Sequence, residues 1–81
     1  MRVIVTIKNN KGTCYDLEAP NTIDGGLFVE KIIEVIGVFD EDFVNSVRLK
    51  KIIVEGSNIE IDRNEKLENY GVVDGSTLII S

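Results

Sequence analysis

Cys14 is the only thiol in the chain, and there is no histidine to activate it or to share a metal with it. Histidine is the side chain whose ordinary pKa suits proton transfer near neutral pH, and it is the commonest zinc ligand. Cys-His and Ser-His nucleophile pairs are therefore impossible here. Cysteine-ligated zinc and iron–sulfur sites need several thiolates and are also out of reach. Cys14 cannot close an internal disulfide, and the expectation is a plain reduced thiol on the outer side of the first hairpin. Asp40, Glu41 and Asp42 form the densest carboxylate run but lack the oxygen spacing and glycine of a calcium loop, so they are expected to be solvated. Gly25-Gly26 could present helix-start amides to an anion. Asp24 puts a negative charge beside them, however, and no Lys or Ser supports a phosphate, so a close-packed or mobile helix entrance is expected. No catalytic residue, cofactor or metal site emerges, and no enzyme activity is expected. Function must come from a surface.

Composition narrows the kind of surface. Eighty-one residues with 43% hydrophobic and 28% charged side chains make one folded domain, residues 1–81, with a single modest core. The net charge of −5 argues against nucleic acid, because phosphate binding is driven by clustered Lys and Arg. Arg48, Lys50 and Lys51 are the nearest thing to a basic cluster, and with no aromatic stacking platform they are expected to be a solvated strand. No run approaches the ~18 apolar residues of a membrane span, and the start is too short and strand-like for a signal peptide. A cytoplasmic protein with no direct membrane insertion is the expectation.

The elements that must position such a surface follow from periodicity. Arg2 to Lys8 alternates, with Val3, Val5 and Ile7 on one face and Ile4, Thr6 and Lys8 on the other. Asn9-Asn10-Lys11-Gly12 predicts a turn, and Thr13 to Glu18 a second strand carrying Tyr15 and Leu17 on the apolar face. Ala19 to Thr22 is expected to break that strand. Phe28, Val29, Ile32, Ile33 and Ile36 share one helical stripe within Ile23–Ile36. Asn21, Thr22 or Asp24 is a candidate cap, and Gly37 is a candidate left-handed terminator. The two glycines of its first turn predict a frayed or irregular start. An acidic connector, Val38 to Ser46, is expected to tuck Phe39 and Phe43 under the domain. Val47 to Val54 predicts a strand of ambiguous register, with a bulge near Lys50-Lys51 to reconcile its two parities. Ile59-Glu60-Ile61, a helical turn at Leu67–Tyr70 and a closing strand at Thr77–Ile80 complete the order β-β-α-β-β-β. With a helix as the crossover between parallel first and last strands, this is an α+β layout of the β-grasp type.

At that point the residues show a resemblance. Thr77-Leu78-Ile79-Ile80 after Leu67 and Tyr70 is similar to ubiquitin's closing segment. Tyr15-Asp16-Leu17, Pro20, the apolar helix, Leu67, Tyr70 and Asp74-Gly75 together resemble the YukD/EsaB family over nearly the whole chain. That family comprises small ubiquitin-like proteins associated with type VII secretion in Gram-positive bacteria. The resemblance implies a ubiquitin-like β-grasp, a mixed sheet of four to five strands packed on one helix. It also implies a cytoplasmic accessory or adaptor protein that supports export of small helical WXG-type substrates by protein–protein binding, with components of the secretion machinery as partners. Because Ser81 follows the last strand with no Gly-Gly, the expectation is a domain that is not conjugated. The alternative, a ubiquitin-like modifier or sulfur carrier, would require that tail.

The residues themselves point to the sheet face turned away from the helix. Ile4 in the first strand and Ile79 in the last have outward parity, and Ile52 or Ile53 must join them from the third. The candidate protein-binding face is Ile4, Ile53 and Ile79, rimmed by Lys8 and by Lys50 or Lys51, of which Lys50 is taken into the set. Clustered exposed apolar side chains with a charged rim are the usual signature of a partner surface.

Overall fold

The first two strands, β1 (Arg2–Asn9) and β2 (Cys14–Pro20), form an antiparallel hairpin in the computed structural model, which describes all residues from Met1 to Ser81. The Asn9 side chain closes the turn by accepting from the amides of Lys11 and Thr13, and Gly12 supplies the positive φ of 85°. The strand does not break at Ala19. It runs on through Pro20, and Ala19 is fully buried. Proline is tolerated there because β2 is an edge strand and the Asn21 amide, one residue later, resumes bonding to Met1.

Helix α1 (Gly25–Ile36) lies across one side of the sheet and buries Phe28, Val29, Ile32 and Ile36. Its start is regular rather than frayed, and the two glycines are the reason. The Gly25 and Gly26 amides, which a helix leaves without internal partners, donate to the carbonyls of Glu65 and Arg63 at 2.9 Å each. A Cβ on Gly25 would sit 2.9 Å from the Asp62 carbonyl oxygen, so only glycine lets that loop approach. Asp24 is the cap residue but makes no side-chain capping bond. Gly37 does not adopt the expected left-handed conformation. Its φ is −60°, and its role is steric, since a Cβ there would meet the Ile33 carbonyl oxygen at 2.4 Å.

The connector holds a helix missed by periodicity, α2 (Glu41–Val44), whose first turn is capped by the Asp40 carboxylate accepting from the Phe43 amide. Phe43 is buried as expected, but Phe39 is not: it is 64% exposed and meets the Tyr15 ring edge-on at 5.3 Å. The predicted bulged strand is not a strand over its first half. Val47–Leu49 is a single 3-10 turn entered from a left-handed Ser46, and only Ile52–Val54 pairs as β3. The turn, not a bulge, absorbs the change of parity between Val47 and Ile52. A two-residue β4 (Ile59–Glu60), a 3-10 turn at Leu67–Tyr70 and β5 (Thr77–Ile80) follow.

The sheet order is β2-β1-β5-β3-β4, with β5 parallel to β1 and antiparallel to β3. Eighteen buried hydrophobic residues make one core between the sheet and α1. Leu67 and Val72, from the long final connection, are part of it. This is the mixed five-stranded sheet and single principal helix of a β-grasp.

Candidate partner-binding face

Strand alternation puts opposite residues of adjacent strands in rows across the open face of the sheet. One row runs Cys14, Lys8, Ile79, Ile53, Glu60, each paired with the next. Ile53 and Ile79 are therefore direct cross-strand neighbours, and both are half-buried by the surroundings they share. Lys8 flanks them on one side and reaches the Glu55 carboxylate at 3.6 Å. Burial of Ile52 and Val54 settles the open register of this strand: Ile53 is the outward residue.

Ile4 does not join that pair. Parallel pairing sets Thr6 opposite Thr77, so the Thr6–Thr77 row separates Ile4 from Ile79. The neighbour of Ile4 across the strand boundary is the turn before β5. There the Gly75 amide donates to the Ile4 carbonyl at 2.8 Å, and the Ile4 amide donates to the Asp74 carboxylate at 2.7 Å. Ile4 is 51% exposed and stands as its own apolar spot at the other end of the face. The expected single cluster is thus two spots, joined by a threonine row in which the Thr6 hydroxyl donates to Asp16 at 2.8 Å.

Lys50 is misplaced in the sequence-based set. It ends the 3-10 turn before β3 and lines a separate cleft of about 290 Å³ with Asp40, Asp42 and Phe43, beside the hairpin turn. Lys51 takes the rim position instead, because its backbone pairs with Ser81 in the register of β3 and so shares the parity of Ile53. The signal was present in the sequence but hidden by the Val47–Leu49 turn, which shifts parity by one.

The perturbed groups lie off this face. The Arg48 guanidinium grips the Glu30 carboxylate through two bonds of 2.9 and 2.7 Å, which holds that carboxyl below its ordinary range and the guanidinium above its own. Arg48 is thereby drawn to α1 and forms no basic stripe with Lys50 and Lys51. The Tyr15 hydroxyl donates to Asp40, and that bond pushes the phenol's pKa up. Cys14 is exposed at the end of the Lys8 row. The middle of the face thus offers isoleucine, threonine and ion-paired lysine, and its β2 side carries Cys14, Asp16 and Glu18.

The family described as "WXG100 protein secretion system (Wss), protein YukD" matches residues 2–80. No curated protein matches the chain. Among solved structures, a designed protein based on ubiquitin is similar at TM-score 0.72 and 21% identity, covering 99% of this chain and 87% of that one. The solution NMR structure of a ubiquitin-like domain from Arabidopsis thaliana is similar at TM-score 0.70 and 21% identity, covering 99% of this chain and 76% of that one. At that identity the two structures establish the ubiquitin-like fold.

Proposed function

The chain belongs to the YukD family of WXG100 secretion system proteins, and from that premise we propose that it is an accessory protein acting by binding a component of that system. The binding surface in this proposal is the open sheet face, centred on the Ile53–Ile79 pair with Lys8 beside it and Ile4 as a second contact. The observation that carries it is the pairing of two isoleucines on a face that no other element of the chain covers. Paired β-branched side chains give a rigid apolar contact at little entropic cost, and the lysine rim gives orientation. The family resemblance supports a cytoplasmic site of action and a role without chemistry, in keeping with a chain that has no histidine and one thiol.

Deleting the gene and restoring it as wild type or Ile79→Arg tests this. Export of WXG100 substrate into the medium is measured against its level inside the cell. The deletion and the variant should both lose export while the variant accumulates to the wild-type level. Full export from the variant would remove the open face from the proposal, and full export from the deletion would remove the secretion role.

A further inference from the structure

The two edges of the sheet are unequal. β4 ends one side with only two paired residues, whereas β2 presents seven along the other. At the two ends of the hairpin, Asn9 donates to the Thr13 carbonyl and Asn21 to the Met1 carbonyl. Antiparallel alternation between those ends turns the backbone of Tyr15, Leu17 and Ala19 toward β1. The amides and carbonyls of Cys14, Asp16 and Glu18 then point outward, with no other backbone partner. Pro20 closes the row, since it has no N–H to offer.

The side chains along this edge define what could pair with it. On the open-face side stand two carboxylates, Asp16 and Glu18, and no cation belongs to β2. Asp16 is bonded only to the neutral Thr6 hydroxyl, and Glu18 meets Arg2 at 3.2 Å with both side chains 57% exposed. On the helix side, the exposed Phe39 ring leans on Tyr15 and extends the sheet with an apolar shelf. A second copy of the chain fits poorly. Antiparallel pairing of β2 about Asp16 sets Asp16 against itself, and a two-residue slip sets it against Glu18, so like charges oppose one another.

We propose that β2 is a strand-addition site for an extended segment of a partner protein in which Lys or Arg alternates with apolar residues. The basic side chains lie over Asp16 and Glu18, the apolar ones lie against Phe39 and Tyr15, and the backbone bonds to Cys14, Asp16 and Glu18. Main-chain bonds supply affinity in this mode, and the alternating side chains supply choice. The site runs along the β2 edge, two strands from the Ile79 end of the Ile53–Ile79 pair, and stands or falls separately from that pair.

The test titrates the intact protein with an acetylated, amidated heptapeptide of alternating Lys and Val, followed by amide NMR. The amides of Cys14, Asp16 and Glu18 should shift and exchange more slowly, and the Ile53 and Ile79 amides should not. A peptide N-methylated at alternate residues, with its charge kept, should not bind, and neither should one with Glu in place of Lys. In the double variant Asp16→Asn, Glu18→Gln, checked for an unchanged melting temperature, affinity should fall roughly two- to thirtyfold, as expected for two cross-strand charge pairs. Equal binding by the N-methylated peptide would reduce the effect to charge adhesion and overturn the proposal. Shifts confined to Ile53, Ile79 and their neighbours, or no binding at millimolar peptide, would also overturn it.

Discussion

Two isoleucines one residue apart on β5 live in different worlds. Ile80 is 1% exposed and packs into the core with Leu78, while Ile79 between them looks out from the open side of the sheet. The covered side is closed by α1, by the Leu67–Tyr70 turn and by a loop that touches the helix start through Gly25. The open side is closed by nothing. On the covered side a side chain is constrained by close packing, which tolerates neither lost nor added volume cheaply. On the open side only cross-strand neighbours constrain it, which leaves room for a surface shaped by binding.

That contrast can be broken most directly at Leu78. Leu78→Arg drives an unpaired charge into a fully buried position and should cost more than about 4 kcal/mol, enough to leave the domain largely unfolded in a urea titration. Gly25→Ala comes next. A methyl group there would press on the backbone of the 62–65 loop, and the clash should outweigh the gain in helix propensity, for a net loss of about 1–2 kcal/mol. Gly26→Ala, whose Cβ would lie 3.3 Å from the Arg63 carbonyl oxygen, should cost less in the same assay.

The two perturbed pairs sharpen the comparison with smaller effects that depend on pH. Glu30 has a folded-state pKa below its ordinary 4.5 because of Arg48, so its contribution is present above that value and is lost as pH falls through the folded one. Thermal melts of Glu30→Gln should therefore converge on wild type in acid. Tyr15 has its pKa raised above 10.0 by the bond to Asp40. Its contribution is present below that value and is lost as pH rises through the folded one, so Tyr15→Phe should converge on wild type in strong alkali. The smallest effect belongs to Ile79→Arg, which should stay within about 1 kcal/mol of wild type. Equal destabilisation by Leu78→Arg and Ile79→Arg would show that the two sides of β5 do not differ as described.

Legibility in the sequence followed the same divide between regular and irregular structure. Val3, Val5 and Ile7 announced the face of β1 because a period of two needs only local information. Phe28, Val29, Ile32 and Ile36 announced α1 in the same way. Between Gly37 and Lys51 the guide failed. α2 is too short to show a period, Phe39 looks as apolar as Phe43, and the Val47–Leu49 turn reverses the parity from which Lys50 was assigned to the open face. Pro20 misled for a different reason, since its cost depends on whether the strand is at an edge, and edges are a property of the sheet.

The sequence by itself determined the order of the strands and the main helix, the fold class, the family and the absence of histidine or paired thiols for chemistry. These rest on residue type and local spacing, which every stretch of chain carries with it. Only the tertiary structure decided that Ile53 and Ile79 touch while Ile4 stands apart, that Lys51 replaces Lys50, and that Gly25 serves a loop 37 residues away. Those facts depend on which strands are neighbours and in what register. Register is a balance of many weak contacts across the whole sheet, and no local stretch contains it.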